Sequence, residues 1–273
     1  MITISLLISH VLSDLILQTD KIVEEKSTMK KSGYFWHAIG LIGTSAPILF
    51  FLKLSSMGLV FICICLITLT HLILDFCKEV LQNKLASNND SRYYNVGIFI
   101  ADQILHILTV IIITSVIIND VTIEFNFIND FFINVVLQNG SLNYADFKMI
   151  FLIGYIAFSG AYLIPLLFEV IYAKIPNYGT ILNSKLKEDL NQGEYGFIDE
   201  VKTGKWIGIL ERILIIIFIY TNQLATIGFI VAMKSLARFK MMDNKIFSEY
   251  YLLGTFISMV YTFVAYALFN AIL

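Results

Sequence analysis

The sequence is poor in charged residues. Only 15% of its 273 residues are Asp, Glu, Lys or Arg, whereas 58% are hydrophobic, and the mean hydropathy is +0.77. A soluble globular domain carries about 25% charged and about 45–50% apolar residues. The composition therefore indicates a polytopic membrane protein. The formal net charge of −2, with no basic patch outside the loops, argues against nucleic acid as a partner.

Cysteine is also scarce, and the common catalytic motifs are missing. Cys63, Cys65 and Cys77 show no CxxC spacing, so we expect no disulfide. Cys77 is expected to be a buried small side chain, with metal ligation as the alternative. The sequence has no glycine-rich phosphate loop, no GxSxG elbow and no HExxH helix.

Eight apolar segments have about the length needed to cross a bilayer. They predict an all-α fold, a polytopic transmembrane helical bundle of about eight spans. The first segment is short and polar for a lipid-exposed helix, so we expect its neighbours to shield it. The segments are residues 2–18, 36–54, 57–77, 94–119, 149–173, 205–220, 222–240 and 249–271.

Lysine and arginine are distributed unevenly among the connections. Fourteen fall in alternate connections, and the others hold only Lys53 and Lys148. The positive-inside rule then predicts that the N and C termini are outside and that four connections are cytoplasmic. We expect a multi-pass protein of a bacterial cytoplasmic membrane.

The polar chemistry divides the chain into three regions. Residues 1–119 are predicted to form a four-helix membrane bundle that contains the histidines. Residues 120–147 are predicted to be an outer connection, with an amphipathic surface helix as one form. Residues 148–273 are predicted to form a second membrane bundle, interrupted by a cytoplasmic loop at 177–204.

Histidine is rare, and all four histidines lie in the first 106 residues. Three of them stand four positions from an aspartate, so each pair shares one face of a helix. Ionisable groups inside a membrane are costly unless they are paired or used. Neutral imidazole and carboxylate suit zinc, manganese or iron, and the set is large enough for one or two ions. The predicted ligands are His10, Asp14, His37, His71, Asp75, Asp102 and His106.

An alternative is that each imidazole only hydrogen-bonds a carboxylate and holds two helices together. Four nearby residues, Gln18, Lys26, Lys78 and Gln103, are candidates to support the ligands or to contact substrate. Lys78 has the alternative of a lysine that anchors its helix at the interface. Asp20 and Lys26 are expected to be solvated loop residues.

The second bundle carries its own charges within apolar sequence. They are predicted either to form a closed ion-pair network that fixes helix packing or to form an anion pocket that holds a phosphate or another acidic group. Their spacing leaves both interpretations open. The residues are Glu211, Arg212, Lys234, Arg238 and Glu249.

Several segments resemble the bacterial membrane family known as domain of unknown function 3307. They are HVLSDLILQTD at 10–20, HLILDFCK at 71–78 and DQILH at 102–106, and the tail segments GKWIGILERILI at 204–215, KSLARF at 234–239 and EYYLLGTFIS at 249–258 look like the second half of its longer members. The family carries no established activity. Its pattern is similar to that of membrane-bound metal-dependent hydrolases, which implies ligand roles for the three His–Asp pairs by analogy.

Two functions of different classes are compatible with this pattern. The first is a metal-dependent hydrolase of a lipid-linked or membrane phosphate or ester, with Asp14, Asp75 and Asp102 as catalytic residues. Cations of the second bundle would then hold the head group. The second is an ion or proton transporter that uses the same polar residues. Against transport, the outer half of each predicted span is almost wholly apolar. A purely structural or regulatory membrane protein is the third interpretation.

Overall fold

A computed structural model describes residues 2–51, 53–54, 57–85, 91–117, 123–124, 144–173, 197–243 and 245–272. These residues are almost entirely helical, which confirms the all-α fold. Two short strands, β1 (Lys53–Leu54) and β2 (Ile123–Glu124), pair antiparallel. The predicted outer connection 120–147 and most of the predicted loop 177–204 lie outside the described residues. Residues 197–204 begin a helix.

Each predicted apolar segment overlaps a helix, although residues 53–54, at the end of the predicted second segment, form β1. A π-helical turn, Leu12–Ile16, continues the first helix, and a 3-10 turn, Phe239–Asp243, precedes the last. In chain order the α-helices of the described residues are α1 Ile2–Val11, α2 Asp20–Ser27, α3 Lys31–Phe51, α4 Met57–Leu85, α5 Ser91–Ile117, α6 Tyr144–Ile171, α7 Phe197–Tyr220, α8 Leu224–Ala237 and α9 Lys245–Ile272.

Four of the described helices, α4, α5, α6 and α9, are long and apolar enough to cross a bilayer. A fifth candidate combines α1 and its π turn with α2, but the two parts are bent by 86°, as in a broken span or a re-entrant segment. Helix α8 is apolar but has only 14 residues. The long apolar helices indicate a membrane protein. The count of eight spans and the outside termini remain predictions.

The chain divides into two compact units, Met1–Tyr155 and Ile156–Leu273, whose boundary falls inside α6. In the first unit, α1 packs against α3 and α5, and α4 packs against α3 and α5. In the second unit, α7 packs against α8 and α9. Ala157, Ala161 and Ile209 form a buried core there.

Neighbouring helices shield most of α1, as its short and polar sequence predicts, although Ile16 and Leu17 at the end of the predicted segment are exposed. None of its residues is exposed, and Ile4 and Leu7 are almost completely buried. Small hydroxyl side chains join it to α3: Ser9 Oγ donates to the Thr44 carbonyl at 2.9 Å, and Thr44 Oγ1 donates to the Ser9 carbonyl at 3.2 Å. Close packing and hydrogen bonds of this kind hold helices together where lipid removes the hydrophobic driving force.

The chain turns sharply after α1. The Leu17 amide donates to the Leu12 carbonyl at 2.8 Å, the five-residue spacing of a π turn. Thr19 then caps α2, since its Oγ1 accepts from the Ile22 amide. Helix α2 lies against α3 at Gly33, where a Cβ atom would be only 2.8 Å from the Lys26 backbone nitrogen. This close approach holds α2 against α3 and buries Lys26, while most other residues of α2 stay exposed.

Candidate metal centre

All seven predicted ligands are buried in the first unit, and several of their ligand atoms meet at one point. His37 Nε2 and His71 Nε2 are 3.0 Å apart. Asp14 Oδ1, supplied by the π turn, is 3.0 Å from each of these nitrogens. Asp75 Oδ2 is 3.3 Å from His37 Nε2 and 3.6 Å from His71 Nε2. Three helical segments, the π turn, α3 and α4, thus bring two nitrogens and two oxygens together.

The spacing of these atoms fits one divalent ion. Around a tetrahedral ion with bonds of about 2.0 Å, ligand atoms stand about 3.3 Å apart. The five distances above range from 3.0 to 3.6 Å. We call Asp14, His37, His71 and Asp75 the first cluster.

Hydrogen bonding alone does not account for the first cluster. Asp14 Oδ1 is buried and 3.0 Å from two ring nitrogens, yet no hydrogen bond reaches it. The two nitrogens can share one proton at most, because each His Nε2 faces the other. One shared ring proton and the Lys26 ammonium on Asp75 Oδ2 leave more lone pairs than donors at this point, which is the arrangement of ligands around a cation.

A second group of ligand atoms lies beside the first cluster. It consists of Asp75, Asp102 and His106. Each contributes one ligand atom, and these three atoms lie within 4.8 Å of one another. The His71 and His106 rings are adjacent, with centroids 4.0 Å apart. Asp75 therefore belongs to both groups.

His10 stands beside both groups. Its ring centroid is 5.2 Å from those of His71 and His106. Its Nδ1 is 3.8 Å from Asp14 Oδ2, which is too long for a hydrogen bond. Both ring nitrogens are buried without a hydrogen-bond partner. His10 with Asp14 and His71 is a further set within ligand distance.

Lys26 corrects a prediction from the sequence. It was expected in a solvated loop, but it is buried, and its Nζ donates to Asp75 Oδ2 at 2.5 Å. The bend before α2 is the reason, because it folds this polar helix back against α3 and α4. Gln18 joins the same contact: in the amide orientation that satisfies both ends, it donates to the Asp14 carbonyl at 3.1 Å and accepts from Lys26 Nζ at 2.9 Å. Asp20 is exposed, as expected.

The other two predicted supporting residues lie around Asp102. Lys78 Nζ is 3.4 Å from Asp102 Oδ2, and 24% of its side chain is exposed. Gln103 Nε2 donates to the same oxygen at 3.2 Å. Asp102 Oδ1 is buried without a hydrogen bond. Lys78 is therefore the lysine of the site that reaches toward solvent.

Sequence reasoning missed Glu79, which is buried and interacts electrostatically with both lysines. The signal was present, since Glu79 follows Asp75 by one helical turn on the same face. Three aspartates and Glu79 carry four formal negative charges, and the two lysines carry two positive charges. With neutral imidazoles the formal sum is −2, a surplus of negative charge that favours a bound cation.

Cys77 takes no part in the three sets of ligand atoms. It is exposed on α4, so the expectation of a buried side chain is wrong. Cys77 follows Asp75 by two positions and therefore points to the opposite side of the helix.

The predicted site residues of the tail have partners within the second unit. Lys234 Nζ donates to Glu211 Oε2 at 2.7 Å. Arg212 is buried, and its Nε and one terminal nitrogen donate to the Ala157 carbonyl, while the other donates to Ser258 Oγ. Arg238 lies over the rings of Phe247 and Tyr251, and Glu249 makes an exposed pair with Lys245. These contacts favour the packing interpretation over an anion pocket.

Comparison with known proteins gives a family but no activity. Residues 2–133 match the model of a family described only as a protein of unknown function, DUF3307. This region of the chain belongs to that family. The DUF3307 region contains every residue of the metal centre and ends before α6, so the tail segments lie outside the match. No curated protein and no solved structure matches the chain.

Proposed function

We propose that this membrane protein binds a divalent metal ion in its DUF3307 region and uses it to hydrolyse a lipid-linked or membrane phosphate or ester. The observation that carries the proposal is the first cluster, in which His37 Nε2, His71 Nε2 and Asp14 Oδ1 stand 3.0 Å from one another inside a helical bundle. Zinc, manganese and iron all accept this mixture of imidazole and carboxylate.

The surroundings of the first cluster support a hydrolytic role. A divalent ion held there would polarise the scissile oxygen and make a water molecule acidic enough to attack near neutral pH. His10 is the residue best placed to take the proton of that water. It is buried beside the cluster with both ring nitrogens unpartnered, and Asp14 Oδ2 stands on its Nδ1 side. We therefore assign the proton acceptor to His10, and we assign metal ligation to Asp14 and Asp75.

The edge of the site supports a lipid substrate. Ile16, Leu17 and Val23 flank the bend after α1, and all three are exposed apolar side chains. Lys78 is partly exposed next to Asp102. Acyl chains would contact the apolar edge, and Lys78 would receive an acidic head group.

The packing of α1 argues against transport through the first unit. The part of α1 between its start and His10 is tightly packed. There, the side chains of Ile4, Leu6 and Leu7 are each at most 2% exposed. Thr3 and Thr114 hydroxyls in that part are hydrogen-bonded to each other at 3.1 Å. A permeation path needs polar groups that stay available along its whole length.

Elemental mass spectrometry on detergent-purified protein tests metal binding. We expect at least one equivalent of zinc, manganese or iron in the wild type, and loss of that metal in a His71→Ala, Asp75→Ala double variant. Thr70→Val is the matched control, because Thr70 adjoins His71 on α4 and its hydroxyl bonds only within its own helix. Absence of metal in the wild type, even after reconstitution with each ion, contradicts the proposal.

Turnover is tested on the same preparations with a panel of lipid phosphates and lipid carboxylic esters. We expect metal-dependent release of product that is lost in the double variant and in His10→Ala, with metal still bound in His10→Ala. Metal-loaded protein that hydrolyses nothing in the panel contradicts the hydrolase assignment. Metal-ion flux in proteoliposomes without hydrolysis assigns the site to transport instead.

A further inference from the structure

We infer that the DUF3307 region holds a second divalent ion, bound by His106 and Asp102 and joined to the first ion through Asp75, and that this pair of ions selects a phosphate ester as substrate. The inference rests on the proposed function, because the first cluster must bind metal for Asp75 to act as a bridge. It adds a second binding position and a substrate class.

The state of His106 is the first step. Its Nδ1 is 2.8 Å from the carbonyl oxygen of Asp102, one turn earlier on α5, so Nδ1 carries the proton and donates it. Nε2 is then a lone-pair atom, and it is buried with no partner. Histidine ligands of metal ions are typically held in this way, with one ring nitrogen donating to a backbone carbonyl and the other bound to the metal.

Asp102 supplies the second ligand. Its Oδ2 accepts from Lys78 and Gln103, which fix the carboxylate, while Oδ1 is buried and unpartnered. The structure thus leaves one oxygen free and one ring nitrogen free on adjacent turns of the same helix. Both are orphaned polar atoms in an apolar bundle, and such atoms are costly unless a ligand satisfies them.

Asp75 connects the two positions. It contributes a ligand atom to the set with His37 and His71 and also to the set with Asp102 and His106. A carboxylate has about four lone-pair sites, so it can accept the Lys26 hydrogen bond and still reach two ions. Two-metal hydrolytic sites hold their ions about 3.5–4 Å apart. A single carboxylate spans that separation.

The formal charge of the site favours a phosphate monoester over a carboxylic ester. Four buried carboxylates and two lysines leave a formal charge of −2. One divalent ion brings the site to zero, and two bring it to +2. A phosphate monoester can carry two negative charges and balance the site with two ions, whereas a carboxylic ester carries no charge at its reacting group. Lys78, already included in this sum, lies at the exposed edge, where its ammonium can donate to phosphate oxygens.

Manganese binding and electron paramagnetic resonance test this inference on the full-length protein in detergent, stripped of metal with chelator and reloaded with Mn²⁺ alone. We expect two Mn²⁺ per chain with the spectrum of a spin-coupled pair. His106→Ala is expected to halve the bound Mn²⁺ and to give the spectrum of an isolated ion. Thr109→Val on the same helix is the control, since its hydroxyl bonds only the Leu105 carbonyl, and it should retain the pair.

The outcomes separate this inference from the proposed function. One isolated Mn²⁺ per chain that His106→Ala leaves unchanged overturns the second position and leaves the first cluster intact. Two Mn²⁺ without coupling overturn the bridge through Asp75. No bound Mn²⁺ overturns the second position, whereas the first cluster is overturned only if zinc and iron also fail to bind. If His106→Ala does not fold, the stoichiometry and spectrum of the wild type still show whether a second, coupled ion is bound. Hydrolysis of a lipid carboxylic ester but no lipid phosphate monoester overturns the substrate class.

Discussion

The two compact units of this protein both bury charged side chains among apolar helices, but they do so differently. In the first unit, buried polar atoms remain without hydrogen bonds, including Asp14 Oδ1, Asp102 Oδ1, His106 Nε2 and both ring nitrogens of His10. In the second unit, Arg212 has three hydrogen bonds, and Glu211 is paired with Lys234. Surplus lone pairs that converge indicate a ligand site, whereas charges with their own partners indicate packing.

Arg212 illustrates the packing arrangement. Its guanidinium joins α7 to the Ala157 carbonyl in α6 and to Ser258 in α9. Glycines make room for it, since a Cβ atom on Gly160 would be 2.8 Å from Arg212 Nε. Three helices therefore meet at one side chain, with backbone and hydroxyl oxygens in place of a carboxylate.

The largest effect is expected for Asp75→Ala in the first unit. This change removes a ligand and leaves the buried Lys26 ammonium without its carboxylate, which lies at 2.5 Å. Breaking one side of a buried ion pair costs about 3–5 kcal/mol. We expect loss of bound metal together with a fall of that size in the free energy of unfolding, measured by denaturation in detergent. Metal content equal to that of the wild type would show that Asp75 is not a metal ligand.

A smaller effect, confined to stability, is expected for Arg212→Ala in the second unit. Hydrogen bonds of a charged group contribute about 1.5–3 kcal/mol each, so the variant should lose at least about 2 kcal/mol. Metal content measured on the folded fraction should equal that of the wild type, because the contacts of Arg212 lie in the second unit. A change in metal stoichiometry would show that packing in the second unit influences metal binding in the first unit.

The smallest effect is expected for Gly33→Ala, which tests whether packing alone can alter the centre. The added Cβ would be 2.8 Å from Glu25 Cβ and from the Lys26 backbone nitrogen, so α2 must shift and carry Lys26 with it. Overpacking of this kind costs about 1–3 kcal/mol. We expect weaker metal binding in a titration with Mn²⁺, although no ligand is changed.

Gly40→Ala is the matched control on the same helix, since nothing lies within 4 Å of its added Cβ. It should bind Mn²⁺ with wild-type affinity. Equal affinity in Gly33→Ala and the wild type would mean that the position of Lys26 does not influence the centre.

The ligand residues were predictable because their pattern is local. His71 and Asp75 stand four positions apart, and the helix that this spacing requires is present, so both reach the first cluster. The same rule, applied one turn further, would have found Glu79. Lys26 could not be predicted in this way, because its burial depends on a bend of 86° between segments that local composition describes only as apolar and then polar.

Composition and spacing alone establish a helical membrane protein whose histidines and aspartates lie on common helix faces, because hydropathy and helical periodicity are properties of neighbouring residues. They also predict that α1 is surrounded by other helices. Only the packed structure decides that Asp14 Oδ1 faces two imidazoles, that Asp75 belongs to two ligand sets, and that Arg212 packs without a carboxylate. These facts depend on how helices distant in sequence are placed, to within about an ångström, and no local pattern encodes that.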